Sequence, residues 1–185
     1  MSIQTVGIIG AGTMGSGIAQ ACAVAGVRVV MVDIAEAAVA KGLASVDASL
    51  ERLLKKDKIS QADKDAALAR IRTSTQYEDL KSADLVIEAA TENHALKIKI
   101  IQQLDALLAP EVILASNTSS ISITQLAAVT QRADRFIEIE DARRPGRPGT
   151  YTFNGPLAAA YLGCSDAPRS PAACHTSRRL LAGMA

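Results

Sequence analysis

Thr5-Val6-Gly7-Ile8-Ile9-Gly10-Ala11-Gly12-Thr13-Met14-Gly15 is the stretch whose reading decides the fold. Its first half, Thr5 to Gly10, is a short apolar run stopped by glycine, as expected of a strand buried on both faces of a parallel sheet. Its second half is a G-x-G-x-x-G pattern that opens an alanine-rich helical segment, Met14 to Ala25, which stops at Gly26. A glycine triplet alone is a weak signal. A strand before it and a helix after it are the context that a dinucleotide-binding turn requires. Gly10 would allow the tight turn, Gly12 would let the backbone approach a pyrophosphate, and Gly15 would let the helix pack close to the strand. Gly17 would add a second close-packing position. The helix N-terminus would offer N–H groups and a partial positive charge to the phosphates. Gly10, Gly12, Thr13, Met14 and Gly15 are therefore the candidate cofactor loop; the alternative is a plain glycine turn without a ligand.

The next segment, Arg28 to Val32, reads as a second strand and ends at Asp33, 18 residues after Gly15. That is close to the ~20-residue offset of the carboxylate that accepts hydrogen bonds from the adenosine ribose. No arginine follows it: Ile34 and Ala35 are neutral. A carboxylate there repels a 2′-phosphate, so the expected cofactor is NAD rather than NADP. The competing reading of Asp33 is a helix N-cap.

Outward from this unit the pattern keeps alternating. Residues 36 to 56 read as a long amphipathic helix, and Ser60-Gln-Ala-Asp63 as a capping box that opens another. Leu85 to Glu88 reads as a strand after an exposed Lys81-Ser-Ala-Asp84 turn. Ala95 to Leu108 reads as a helix with Ile98, Ile101, Leu104 and Leu108 on one face. Val112 to Ala115 and Arg135 to Ile139 read as strands, with a short helix from Ser122 to Ala128 between them. Alternating strands and helices define an α/β class with a doubly wound, mostly parallel Rossmann-type sheet.

Composition bounds the rest. The chain has 185 residues, 49% hydrophobic and 21% charged, with a formal net charge of +1. That balance excludes wholesale disorder. It gives no reason to expect a nucleic-acid or membrane-surface partner. No apolar run reaches the ~18 residues of a membrane span. Met1-Ser-Ile-Gln-Thr5 lacks the positive flank of a secretory leader. Cys22, Cys164 and Cys174 do not form a disulfide framework, so a cytoplasmic location is expected. One discontinuity stands out. Ala, Gly, Pro and Arg supply 39 of the first 137 residues but 25 of the last 48. The chain accordingly divides into a dinucleotide-binding domain, 1–137, and an atypical tail, 138–185. The tail reads either as an out-of-frame translation of a GC-rich gene or as a Pro- and Gly-rich extension.

Two further motifs lie at expected strand ends, where ligands of such sheets bind. Glu88-Ala-Ala-Thr-Glu92, with Lys97 one turn on, falls where the nicotinamide half of a dinucleotide would lie; helix capping or solvated charge would explain the same residues. Ser116-Asn117-Thr118-Ser119-Ser120 groups hydroxyls and an amide that suit a substrate oxygen, although such clusters more often make turns and caps.

Residues 7 to 20, 85 to 92 and 115 to 123 together resemble the NAD-binding domain of 3-hydroxyacyl-CoA dehydrogenases of the bacterial 3-hydroxybutyryl-CoA type. The resemblance runs to Arg135-Phe136-Ile137. It implies hydride transfer between NAD and the 3-hydroxyl carbon of an acyl-CoA. It further implies Asp33 at the adenosine ribose, Glu92 and Lys97 near the nicotinamide ribose, Asn117 beside the nicotinamide and Ser119 on the substrate's 3-oxygen. Ser49 and Lys56 match positions that contact CoA. After Arg-Phe-Ile the family continues Gly-x-His-Phe-Phe-Asn-Pro, and that histidine is its general base; here the chain reads Glu138-Ile139-Glu140. His94 looks like a solvated helix residue, and His175 lacks the surrounding motif. The helical domain that forms the family's dimer is likewise expected to be absent, and with it most of the homodimer interface. Three functions stay open: a dehydrogenase, intact or impaired; a non-catalytic NAD-binding module; and a dehydrogenase of small 3-hydroxy acids, against which Ser116–Ser120 argues.

Overall fold

The computed structural model describes residues 3–118, 120–141 and 151–154. Ser119, His175, Cys164, Cys174 and most of the Pro-rich tail lie outside the described residues. The strands are β1 (Thr5–Ile9), β2 (Arg28–Val32), β3 (Ile71–Ser74), β4 (Leu85–Glu88), β5 (Ile113–Ser116), β6 (Phe136–Asp141) and β7 (Tyr151–Asn154). The helices are α1 (Thr13–Val24), α2 (Glu36–Leu54), α3 (Gln61–Ala69), α4 (His94–Leu107) and α5 (Ile123–Ala128). The sheet runs in the order β3-β2-β1-β4-β5-β6-β7. All pairings are parallel except the last, where β7 lies antiparallel to β6. This is the doubly wound order of a dinucleotide-binding fold, with one strand added at its edge.

The strands read as continuous apolar runs because helices cover both faces. Side chains alternate between two cores. Val6, Ile8, Val29, Met31, Leu85 and Ile87 share one core with Ile18, Val39, Val46 and Leu50 of α1 and α2. Ile9, Val30, Val32, Val86 and Leu114 share the other with Ile100, Ile101 and Leu104 of α4. One residue of register slip would exchange the two sets, so the pairing is strongly specified.

Local signals act where the sequence places them. Gly26 has φ +86° and ends α1. At α3 the Ser60 hydroxyl accepts from Asp63 N, and the Asp63 carboxylate accepts from Ser60 N. The N-cap of α2 is Ala35, so Asp33 does not cap that helix.

The structure adds what the pattern reading lacks. β3 carries only one fully buried side chain, Ile71, and sits at the sheet edge. A short 3-10 helix, Tyr77–Ser82, follows it and buries Leu80. The expected exposed turn at 81–84 is exposed only at Lys81 and Ser82. Ala83 is buried, and the Asp84 carboxylate accepts the N–H groups of Gln4 (2.8 Å) and Thr5 (2.9 Å), pinning the start of β1. β6 runs past Ile137 to Asp141 and pairs with β7, so a regular edge strand stands within the stretch read as a tail.

Candidate functional site

The carboxyl ends of β1, β2, β4 and β5 converge where the strand order reverses, between β1 and β4. Backbone contacts join them: Gly10 N donates to Val32 O, Ala89 N to Ile9 O and Asn117 N to Glu88 O, each at 2.8 Å. Gly10 has φ +98°, and a Cβ there would stand 2.6 Å from Ala89 O. Its glycine is what lets the β1 and β4 loops meet. A Cβ on Gly15 would fall 1.8 Å from Gly10 O, so α1 packs directly on the turn that starts it.

Gly12 differs from both. It is the exposed N-cap of α1, offers no side-chain oxygen to the first-turn N–H groups, and has nothing within 4 Å of where its Cβ would be. No acidic side chain occupies that first turn. An open, uncapped helix N-terminus at this point suits a diphosphate. Asp33 lies alongside. Its Oδ2 accepts from Ala11 N and its Oδ1 from Ile34 N, both at 2.7 Å. Each carboxylate oxygen retains an acceptor site for a ribose hydroxyl. The residues present therefore fit a dinucleotide whose adenosine half lies over β2.

The other half of the crevice is built from side chains. Glu88, expected where the nicotinamide half would lie with solvated charge or helix capping as the alternative, is fully buried. Its Oε2 meets the ammonium of Lys97, also fully buried, and accepts from Ser116 Oγ at 2.9 Å. Its Oε1 accepts from Ala90 N at 2.9 Å. Lys97, expected near the nicotinamide ribose, is fully buried in this structure and meets Glu88 and Ser116 Oγ (3.3 Å). Glu92 is exposed, and its Oε2 accepts from Thr118 Oγ1 (3.0 Å) and Ser120 Oγ (3.1 Å). The cap of α4 is Asn93, whose side chain accepts from Leu96 N. Asn117 donates its Nδ2 to Ile139 O of β6 at 2.8 Å.

The remaining expected residues are dispersed. Ser49 is half-buried on α2, Lys56 is exposed just beyond it, and His94 is exposed at the start of α4. Burial pushes the Cys22 thiol up to about 12, which removes it as a nucleophile. Sequence reading missed Arg132. Its buried guanidinium pairs with Asp105 (2.6 Å) and donates to the carbonyls of Asp105, Leu108, Ala109 and Val112, closing the C-terminal end of α4. Nothing in its sequence neighbourhood signals that role. Among the described residues there is no His/Cys/Asp/Glu group that would hold a metal ion. No described helix is long and apolar enough to cross a membrane.

Fold and site together define a dinucleotide-binding α/β protein. Comparison with known proteins narrows the class. The family model described as 3-hydroxyacyl-CoA dehydrogenase, NAD binding domain, matches residues 5–139, and the chain belongs to that family. NAD is the cofactor this implies. The chain is 47% identical over 137 residues to a 3-hydroxybutyryl-CoA dehydrogenase of Bradyrhizobium diazoefficiens, covering 74% of this chain and 47% of that protein. The crystal structure of (S)-3-hydroxybutyryl-CoA dehydrogenase from Ralstonia eutropha is 66% identical, with a TM-score of 0.75, over 76% of this chain and 50% of that one. A Mycobacterium tuberculosis protein, FadB2, is 41% identical with a TM-score of 0.74 over the same shares. The chain spans about half the length of the curated relatives it matches.

Proposed function

We propose that this chain is the cofactor-binding half of a cytoplasmic NAD-dependent 3-hydroxyacyl-CoA dehydrogenase of the 3-hydroxybutyryl-CoA type. The observation that carries the reading is the convergence of three separate motif loops on one switch point, with an open helix N-terminus at its centre. Bound NAD supplies the hydride acceptor. Asp33 holds the adenosine ribose, Gly10 to Gly15 receive the pyrophosphate, and Glu92 holds the nicotinamide ribose. Asn117, oriented by Ile139 O, lies beside the nicotinamide. Ser119 bonds the substrate's 3-oxygen, and Ser49 and Lys56 contribute to CoA binding. The substrate is a small-molecule acyl-CoA; neither a nucleic-acid nor a membrane partner enters the reading.

Glu138-Ile139-Glu140 stands where the family carries its general-base histidine, and these residues form part of β6. A positioned base is typically worth about 10²–10⁴ in rate. The chain therefore binds cofactor well and turns over poorly. That one substitution also favours a second reading, a non-catalytic NAD-binding module. Acetoacetyl-CoA reduction followed through NADH absorbance separates the two. The dehydrogenase reading expects a rate at least ~10²-fold below that of a full-length relative, yet above background. Background rate alone favours the module, and a full rate overturns the account of the missing base.

A further inference from the structure

α2 carries a glycine that its helical pattern does not explain. Gly42 lies on the buried face of that helix, between Val39 and Val46. Glycine inside a helix is unfavourable relative to alanine, so its presence calls for a packing reason. That reason is the glycine turn. A Cβ on Gly42 would stand 2.7 Å from Ala11 O, 2.8 Å from Ala11 Cβ and 3.2 Å from Met31 Cε. The end of a methionine can swing aside. Ala11 has no such freedom, because its backbone is bonded on both sides. Ala11 O accepts from the buried Ser16 Oγ at 3.0 Å, and Ala11 N donates to Asp33 Oδ2 at 2.7 Å. Ala11 is thus the point where α1, α2 and the end of β2 meet.

We propose that Gly42 and Ser16 are positioning residues for the adenosine half of the site: together they fix Ala11, whose N–H in turn holds the Asp33 carboxylate in the orientation that meets the ribose hydroxyls. Both are buried and act through Ala11. α2 rests on Ala11 where only a hydrogen fits, and Ser16 ties the Ala11 carbonyl to the first turn of α1. The contact also closes a short circuit of chain. Asp33 leads through Ile34 and Ala35 into α2, and the second turn of α2 returns to the residue that Asp33 bonds. The proposal rests on the NAD-binding reading above.

The test titrates NADH, NADPH and ADP calorimetrically into the 185-residue chain and its variants. ADP carries the adenosine and diphosphate of NADH without the nicotinamide half. Gly42→Ala should push Ala11 off Asp33 and weaken NADH and ADP together, each roughly tenfold, the equivalent of one well-placed hydrogen bond. NADPH should lose less, because a carboxylate released from Ala11 N can turn away from the 2′-phosphate. The preference for NADH over NADPH should therefore fall at least about threefold. Ser16→Ala adds no bulk and removes one bond to Ala11. It should act in the same direction, about threefold on NADH and ADP and about twofold on the preference. Val46→Ala, one turn further along the same face of α2, empties core volume without adding an atom against Ala11. It should lower the thermal midpoint and leave the three affinities in place, and a merely structural role for Gly42 would follow that pattern.

A folded Gly42→Ala or Ser16→Ala chain that binds NADH like the parent overturns the proposal. So does a loss of affinity at an unchanged preference between NADH and NADPH, a loss of NADH without ADP, or a Val46→Ala chain that weakens NADH as much as Gly42→Ala does. Should Gly42→Ala fail to fold, Ser16→Ala decides by the same criteria. If the parent chain binds none of the ligands, the cofactor reading itself fails and the proposal falls with it. If the parent prefers NADH and neither variant moves that preference, only the positioning role fails.

Discussion

The two halves of the crevice are made by different means. On the adenosine side the site is backbone: a glycine turn, an uncapped helix N-terminus and one carboxylate bonded to main-chain N–H groups. On the nicotinamide side it is side chain: Glu88, Lys97 and Ser116 in the core, Glu92, Thr118 and Ser120 in the loops, with bonded partners up to 28 positions apart in sequence. Backbone sites tolerate change in side chains that point away from them and fail on a single Cβ. Side-chain networks fail when one partner is lost and recover when both are replaced.

The largest expected effect lies in the network. Lys97→Met leaves a buried carboxylate without its cation and should cost about 3–5 kcal/mol of stability, read by urea denaturation. Replacing Glu88 by Gln in the same chain should recover most of that loss. A double variant no more stable than the single one would break the contrast drawn between the two halves.

The glycines sharpen the other side. Gly15→Ala puts a Cβ 1.8 Å from Gly10 O and should destabilise by about 3 kcal/mol, the upper end of ordinary overpacking. Gly12→Ala meets open space, so its cost in stability should stay at about 1 kcal/mol or less, in keeping with the weaker N-cap preference of Ala. With the pyrophosphate received at Gly12 as proposed, the added Cβ should obstruct it, and NADH and ADP should weaken together. Comparing thermal midpoints with ligand titrations separates the two roles. A Gly12→Ala chain that binds both ligands normally would remove Gly12 from the site.

A small effect should appear far from the crevice. Hydrogen bonds from the Ser60 hydroxyl and N–H hold the Asp63 carboxyl below the usual carboxylate range. A lowered folded-state pKa adds stability above the unfolded value and loses it as pH falls through the folded one. The thermal midpoint should therefore drop slightly more steeply below about pH 4 in the parent than in Asp63→Asn. Identical profiles would show that the capping box contributes nothing measurable.

How much was legible in the sequence follows the same division. The glycine turn, Asp33, the strand β2 and the Ser60–Asp63 box are contiguous signals with short-range causes, and the structure places them where the pattern puts them. Sequence reading put Glu88 in the motif on the nicotinamide side and Lys97 one helical turn on, but not their pairing in the core. Their burial depends on β5 supplying Ser116 from 19 residues beyond Lys97, which no local pattern encodes. β3 escaped because an edge strand needs little apolar surface: Ile71 alone is buried, and Arg72 is exposed. Arg132 escaped because most of its partners are carbonyls, which every residue has, and its one carboxylate partner, Asp105, lies 27 residues away. The doubly wound order needed the pairing itself, although the alternation of strands and helices had already defined the class.

Cofactor choice tests the central claim most directly. Asp33 is already committed to Ala11 N and Ile34 N, and its remaining acceptor sites suit two ribose hydroxyls but not a 2′-phosphate. Titrating the chain with NADH and NADPH under identical conditions should give saturable NADH binding and much weaker NADPH binding, with the preference reduced in Asp33→Asn. Equal affinity for the two cofactors, or tighter binding of NADPH, would contradict the assignment of the adenosine half, and with it the account of the crevice as an NAD site.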